Sequence, residues 1–183
     1  MGYAVAINKA WEELAGLSGG GARQVKFFSD VYSVDFSARM VSFLPSQAAA
    51  KDFTAVLILH YAIRELKGLK PLANEWISFK ELSGGEAYYP AFRKRAIDPI
   101  IRKYGDDPVG LYSNLDRLSG KKAVGADAGI VIEAFSGVPV MVLVWKADEE
   151  FSAEANLLFD RGISGLFSTE DIAVLSGYIT KYV

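Results

Sequence analysis

The sequence contains no cysteine and a single histidine, His60, and both facts narrow the chemistry available to the chain. Without cysteine there can be no disulfide, no thiolate zinc site, no cysteine nucleophile and no cysteine-ligated iron–sulfur cluster. The same absence fits a reducing cytoplasm, where we expect the protein to be located. Any reaction or metal site that needs an imidazole must therefore use His60.

Other absences exclude whole classes of function. No stretch reaches the roughly 18 apolar residues of a membrane-spanning helix, and the start of the sequence lacks the basic residues of a signal peptide. The formal charge of −2 argues against binding to nucleic acid or to a membrane surface. The motifs G-x-S-x-G, G-x-G-x-x-G, H-E-x-x-H and the P-loop are also missing. We therefore expect a soluble protein whose function is not declared by any of these motifs.

Composition and length indicate one folded domain over residues 1–183, with an N-terminal helix and a glycine-rich connection in residues 1–22. Hydrophobic residues make up 51% of the chain and charged residues 23%, which is typical of an ordinary globular protein. The aromatic content of 13% favours a core that contains β-structure. A domain of this size buries about 70% of its unfolded surface, so it needs no disulfide or metal to be stable.

The apolar run that ends at Leu59 lies in the middle of a predicted helix over residues 47–66. Apolar residues cover both sides of this helix, which is typical of a buried one. At about 100° per residue, His60 lies roughly 40° beyond Val56, at the edge of the main apolar stripe, and Arg64 lies one turn further on the same side. Two interpretations of His60 remain open: a core histidine bonded to a backbone carbonyl, or a ligand-binding residue.

Residues 25–44 alternate between apolar and polar in a way that predicts three short strands. Because the connections are short, the strands are expected to form an antiparallel meander. Ser46 follows as the expected N-cap of the central helix. The predicted turns are Ser29-Asp30 and Ser37-Ala38.

A second group of strands is predicted near the C-terminus, where residues 130–135 and Val138–Trp145 flank a Ser136-Gly137 turn. A further strand is expected at residues 156–160. We therefore predict an α+β fold in which the early meander and the C-terminal hairpin build an antiparallel sheet, packed by the central buried helix and by peripheral helices. One mixed sheet and two small sheets are equally compatible with this pattern.

The stretch from residue 83 to residue 90 is unusual because two glycines, which permit a positive φ, precede Glu86 and a pair of tyrosines, Tyr88 and Tyr89. Pro90 is expected to fix the entry into the next helix, which carries Arg93 in a basic region and should be kinked or split at Pro99. The turn has two interpretations. It is either a structural turn or one wall of a pocket.

Residues 148–171 are rich in aspartate and glutamate. Such a segment is usually a solvated loop, but it is also a candidate surface for a protein partner or a metal. Ser168-Thr169-Glu170-Asp171 within it has the pattern of a capping box, which predicts the start of the last helix.

Five separated blocks of the sequence lie at residues 77–86, 89–92, 145–151, 158–160 and 168–171. Together and in this order, they resemble a prokaryotic domain family of unknown function found mainly in anaerobic bacteria and archaea. The likeness extends from about residue 25 to the C-terminus. Some relatives carry a cysteine-rich segment and are labelled as iron–sulfur proteins, a feature from which this cysteine-free chain departs. The resemblance implies an anaerobic setting rich in haem, corrinoid and cluster chemistry, and it implies no mechanism.

The first functional hypothesis is a binding or carrier domain for a planar anionic cofactor such as a corrinoid or haem. His60 would be the axial metal ligand, because neutral imidazole ligates haem iron and suits cobalt by analogy. Arg64 and Arg93 would contact the anionic or amide side chains of the cofactor. The remaining residues of the predicted pocket are Glu86, beside the turn, and the stacking residues Tyr88, Tyr89 and Trp145.

Two other functional classes stay open. One is a hydrolase or lyase that uses Glu86 with Asp148 or Glu149 as an acid–base pair, although nothing in the sequence places these carboxylates close together. The other is a protein–protein adaptor, which predicts an exposed apolar patch and no enclosed pocket.

Overall fold

Strands from both halves of the sequence join in one open sheet in the computed structural model, which describes residues 2–183. All strand pairs are antiparallel, and the order is β4-β3-β2-β1-β7-β8-β9-β5, with β6 paired to β7. The strands are β1 (Ala22–Phe27), β2 (Asp30–Asp35), β3 (Met40–Phe43), β4 (Ala48–Ala49), β5 (Trp76–Ser78), β6 (Lys121–Lys122), β7 (Ala128–Phe135), β8 (Val138–Trp145) and β9 (Glu154–Asp160).

Helices surround this sheet, which confirms the predicted α+β class. Within the described residues, none of them is both long and apolar enough to cross a bilayer. A π-helical turn at Arg93–Ile97 joins α3 to α4, and 3-10 turns occupy Phe79–Glu81, Pro108–Asn114 and Arg161–Gly165. The α-helices are α1 (Gly2–Leu17), α2 (Asp52–Leu66), α3 (Gly85–Phe92), α4 (Asp98–Tyr104), α5 (Leu115–Leu118) and α6 (Thr169–Tyr182).

The early meander is present as predicted, but its first turn lies one residue earlier. Phe28 and Ser29 form the turn, whereas Asp30 already belongs to β2 and pairs with Phe27. Phe28 has a positive φ of 52° there, an unfavourable angle for a residue with a side chain. This conformation buries its ring, which stacks on Tyr182 with 4.4 Å between ring centroids. The burial of this aromatic ring explains the shift of the turn.

Helix α2 begins at Asp52 rather than at residue 47, and its N-cap is Lys51, so the expected cap at Ser46 is wrong. The intervening residues form β4, whose backbone pairs with the edge of β3. That pairing satisfies backbone groups that a longer helix would otherwise have satisfied. From Thr54 to Leu59 every side chain of α2 is buried, so the prediction of a buried central helix is confirmed.

The predicted C-terminal hairpin is the best-formed part of the sheet. Strands β7 and β8 pair along almost their full length on either side of Ser136-Gly137, and β9 pairs with β8. Valines at alternate positions of β8 are buried in the core. In contrast, β1 and β7 share the single pair Phe27↔Phe135, supplemented by a bond from the Phe28 amide to the Ala134 carbonyl at 2.8 Å.

The predicted turn is present at Ser83-Gly84, but it is short, and helix α3 begins at Gly85. Gly84 has a φ of +73° and is the N-cap of α3. A Cβ on Gly85 would lie 2.0 Å from the Phe79 carbonyl oxygen, so only glycine fits this close approach. Glu86, Tyr88 and Tyr89 therefore lie on α3, and Pro90 lies inside that helix instead of fixing the entry to the next. The expected interruption near Pro99 is confirmed, because the π-helical turn ends where α4 begins.

Candidate functional site

His60 lies in the middle of α2 and contacts a residue that is distant in the sequence. Its Nδ1 atom is 3.0 Å from Oδ2 of Asp171, on the first turn of α6. The side chains are 29% and 10% exposed, so the pair is half-buried rather than part of the dry core. The partner is a carboxylate and not the backbone carbonyl that a core histidine would have been expected to use.

Asp171 is held firmly because it also closes the capping box of α6. Its Oδ2 atom accepts hydrogen bonds from the Ser168 amide at 3.0 Å and from the Ser168 hydroxyl at 2.8 Å, in addition to the bond from His60. Burial raises the pKa of this carboxyl, but the hydrogen bond and charge of His60 and the Ser168 bonds outweigh burial and hold the pKa below its ordinary value. Asp171 is therefore ionised at neutral pH.

The Asp171 bond determines which nitrogen of His60 carries the hydrogen. An ionised carboxylate only accepts hydrogen bonds, so Nδ1 must be the donor, and in the neutral ring the lone pair lies on Nε2. Nε2 has no hydrogen-bond partner within residues 2–183, and no unpartnered side-chain nitrogen or oxygen in that range is buried. Nε2 is therefore exposed and not enclosed in the core.

The His60 cleft has a volume of about 310 Å³ and lies between α1, α2 and the segment that enters α6. A smaller cleft of about 140 Å³ shares His60 and Asp171 with it and adds the rings of Tyr3 and Phe53. The residues that line the His60 cleft are Ala6, Lys9, Ala10, Glu13, His60, Ile63, Arg64, Leu166, Ser168 and Asp171.

Charges in the His60 cleft are unequally paired. Glu13 is bound to Lys67, outside the cleft lining, at 2.5 Å, and this bond is the main reason that the pKa of Glu13 is lowered, with smaller contributions from Arg64 and His60. Asp171 is occupied by Ser168 and His60. Among residues 2–183, neither Lys9 nor Arg64 forms a salt bridge. The two acids of the cleft therefore have partners and its two strong bases do not.

Of the residues predicted for a common pocket, the structure brings His60 and Arg64 together and places the others elsewhere. Glu86 is exposed and lies 3.7 Å from Lys80, whose ammonium also lies over the Tyr89 ring. None of the remaining predicted residues lines the His60 cleft or its smaller neighbour. Tyr88 accepts a bond from Arg95, Arg93 pairs with Asp98, and Trp145 pairs with Glu154 at the end of β8.

Within the described residues, the carboxylates of the alternative acid–base pair, Glu86 with Asp148 or Glu149, are not brought together in either cleft at His60. Asp148 accepts hydrogen bonds from the amides of Phe151 and Glu150 at 2.7 and 2.8 Å, which lower its pKa. Its role there is to close a turn. Glu86 is exposed on α3, and neither it nor Asp148 nor Glu149 lines the His60 cleft or its smaller neighbour.

Two other depressions offer less chemistry. A depression of about 20 Å³ beside Asp160 has the volume of about one water, and both oxygens of that carboxylate already accept backbone amides. A shallow groove of about 360 Å³ along β2 and β3 is larger than the His60 cleft. Its one acid, Asp30, is bonded to Tyr182, and no basic residue lines it.

Sequence reasoning missed Asp171, Lys9 and Glu13 as site residues. Asp171 was visible as the last residue of a capping box, but a contact across 111 positions has no local signal. Lys9 and Glu13 lie on α1, and they line the cleft because α1 docks on α2. His60 and Arg64 could be found because they share one flank of α2.

The fold and the site together define an α+β domain with a histidine–carboxylate pair in a polar cleft. The chain belongs to the family described as domain of unknown function DUF3786, whose model matches residues 10–182. The matched region includes His60, Arg64 and Asp171 and begins immediately after Lys9. No curated protein and no solved structure matches the chain. Membership in a family of unknown function agrees with the resemblance noted in the sequence.

Proposed function

We propose that this domain binds a small molecule with a negatively charged group in the His60 cleft, contacted by Arg64, Lys9 and His60. The observation that carries this proposal is the uneven pairing of charge. Both acids of the cleft are bonded to partners, Glu13 to Lys67 and Asp171 to His60 and Ser168, whereas neither strong base forms a salt bridge. A bound carboxylate or phosphate would complete the pairing.

The chemistry of the three residues fits such a ligand. Arg64 presents a planar fork that can donate two parallel hydrogen bonds to a carboxylate or phosphate, and Lys9 adds a flexible second cation. Nε2 of His60 supplies a directed polar contact between them. A volume of about 310 Å³ lies at the lower end of the range of roughly 300–1,000 Å³ that small-molecule sites occupy. The ligand is therefore expected to be compact.

A corrinoid or haem is the second candidate, supported by the contact at Nδ1. Metal-ligating histidines usually donate their other ring N–H to a carboxylate, as His60 does to Asp171. His60 would then be the axial ligand, and Arg64 with Lys9 would contact the anionic side chains of the macrocycle. Tyr3 and Phe53, which line the smaller cleft, would contact the ring in the role expected for Tyr88, Tyr89 and Trp145.

The proposal is tested with matched pairs of charged and neutral fragments. Because His60 is the single histidine, its ring signals in an NMR spectrum are assigned without ambiguity. Benzoate is compared with benzamide, and phenylphosphonate with benzenesulfonamide. We expect both anions, or one of them, to shift the His60 ring signals at concentrations where the neutral analogues do not.

Arg64→Gln should reduce this response at least about tenfold in affinity, which corresponds to the loss of one charge-assisted contact of about 1.4 kcal/mol. Arg102→Gln is the matched control, because Arg102 is also an exposed arginine in the last turn of a helix. If neutral and charged fragments act equally, or Arg64→Gln binds as the wild type does, anion binding is ruled out. If no fragment shifts His60, the cleft is not a small-molecule site.

The tetrapyrrole candidate has its own test. Wild type and His60→Ala are titrated under anaerobic conditions with haem and with a corrinoid, and the absorption spectrum is recorded. A shifted band that His60→Ala abolishes supports axial ligation. Equal spectra for both proteins remove this candidate and leave the binding of smaller anions unaffected.

A further inference from the structure

We propose that His60 is a general base that removes a proton from a carbon atom of a molecule bound in the His60 cleft, with Asp171 as its positioning residue. This goes beyond anion binding, since it assigns a reaction class to the site. The substrate class is a small carbon acid, in which the C–H bond lies next to a carbonyl or carboxylate group.

The first argument is the orientation of the imidazole. Asp171 accepts the Nδ1 hydrogen at 3.0 Å and is itself fixed by two bonds from Ser168. This leaves the lone pair on Nε2, which is not buried, in a ring that lines the cleft. A buried carboxylate that holds the tautomer of a histidine, and stabilises the imidazolium after proton uptake, is the arrangement used in serine hydrolases. Anion binding alone would not require it.

The second argument concerns the charge that forms on the substrate. When a proton leaves a carbon next to a carbonyl, negative charge develops on the carbonyl oxygen, and fixed cations lower the barrier most when they lie where that charge appears. Arg64 is one turn of α2 beyond His60, and Lys9 faces both from α1. The cleft thus places a base and two unpaired cations around one volume of about 310 Å³.

The step balances without any further reagent. The C–H electron pair stays on the substrate and becomes the C=C bond of an enolate, while the carbonyl π pair moves to oxygen. The proton goes to Nε2, and the imidazolium that results is stabilised by Asp171. Return of the proton to the same or another carbon would give exchange or isomerisation, and loss of a leaving group would give elimination.

An uncharged probe tests the base separately from anion binding. In 5-nitrobenzisoxazole a base removes the proton on carbon, the C–H pair forms the nitrile, and the N–O bond breaks to release a coloured phenolate. We expect the wild-type protein to exceed an equal concentration of 4-methylimidazole by about 100-fold, the lower end of what positioned bases contribute. A rate no greater than that of 4-methylimidazole overturns the proposal.

Three variants assign the activity. His60→Ala removes the base and should lose the advantage of about 100-fold. Asp171→Asn should lose part of it. Because Oδ2 accepts from Ser168 and from His60, the amide oxygen would keep these bonds, but the charge that stabilises the imidazolium would be lost. Asp171→Glu retains a carboxylate and should recover part of the rate. Asp116→Asn, a carboxylate in the first turn of α5, is the control that should match the wild type. An Asp171→Asn rate equal to that of the wild type contradicts the positioning role.

A measurement on the wild type alone covers the case in which the position 171 variants do not fold. Nitrogen-15 shifts of the single histidine report which ring nitrogen carries the hydrogen. The proposal requires the Nδ1–H tautomer in the neutral ring. Observation of the Nε2–H tautomer overturns it, whatever the fragments reveal about anion binding.

Discussion

The two ends of α6 each carry a hydrogen bond to a distant part of the chain, and they differ in what remains available. At the N-terminal end Asp171 accepts a bond from His60 of α2. At the C-terminal end Tyr182 donates its hydroxyl to Asp30 of β2 at 2.5 Å. Asp30 binds the single polar atom of the tyrosine side chain. Asp171 uses one of two ring nitrogens and leaves the other open.

The surroundings of the two ends strengthen the contrast. The Tyr182 ring stacks on Phe28 and packs against Phe27, and burial is the main cause of the raised pKa of its hydroxyl, with the Asp30 bond second. The groove beside Asp30 is lined by no basic residue among those described. A carboxylate with a hydrogen-bonded partner therefore does not by itself indicate a binding site. A partner that keeps a second polar atom without a hydrogen bond, next to unpaired charged side chains, does.

The largest effect is expected at the aromatic end. Phe27 is fully buried and contacts Phe28, Phe135 and Tyr178, so Phe27→Ala should lower the free energy of unfolding by about 3–5 kcal/mol in urea denaturation. The folded variant should still respond to anions at His60. Loss of that response in the folded protein would show that the two ends are coupled.

Asp171→Ala should cost less, about 1–3 kcal/mol at pH 7, because it leaves His60 Nδ1 and the Ser168 amide without their acceptor. Since the folded pKa of Asp171 is lowered, its contribution is present above the unfolded value of about 3.9 and is lost as pH falls through the folded value. The difference between variant and wild type should therefore shrink towards pH 2, measured by urea denaturation. Glu170→Ala, an exposed neighbour, should show little of this pH dependence.

Tyr182→Phe removes one hydrogen bond and should lower stability by about 1 kcal/mol. The pKa of Tyr182 is raised in the fold, so its contribution is complete below the unfolded value of about 10 and declines as pH rises above it. Between about pH 9 and about pH 11, which is one unit on either side of the unfolded pKa, the variant should lose less stability than the wild type. Equal alkaline slopes for the two proteins would contradict the assignment of the raised pKa to this residue.

The smallest change in stability is expected for Arg64→Gln. Arg64 is exposed and forms no salt bridge within residues 2–183. The free energy of unfolding, measured by thermal denaturation, should therefore change by no more than about 0.5 kcal/mol. Anion binding should nevertheless fall as described above. A large loss of stability would mean that Arg64 has a structural partner, and would weaken the contrast between the two ends of α6.

The class of fold could be predicted because its signals are local. Alternation in β8 and the apolar faces of α2 are each set by neighbouring residues, and both predictions are confirmed. The predictions for the start of α2 and for Pro90 were wrong because contacts between residues five to seven positions apart decided them, and hydrophobic periodicity does not report such contacts. β4 pairs with β3 before α2 can begin, and the close approach of Gly85 to Phe79 starts α3 early.

Only the part of the candidate site that lies on one helix could be predicted from the sequence. His60 and Arg64 share a helix flank, a property of spacing alone. Asp171 reaches His60 only because α6 docks against α2, and Lys9 reaches the cleft only because α1 does. The predicted partners on α3 and β8 were chosen by residue type, and residue type contains no information on distance.

The narrow join between β1 and β7 has a consequence for how the two halves of the sheet open in the native protein. The two halves of the sheet meet through the single pair Phe27↔Phe135, with the ring of Tyr61 from α2 stacked on Phe135 and its hydroxyl bonded to the Ser136 carbonyl. Strand pairing within each half is far more extensive, so each half is expected to open as its own cooperative unit. Amides of β7, β8 and β9 should therefore exchange with deuterium more slowly than those of β2 and β3, and a mutation at Tyr61 should widen the gap.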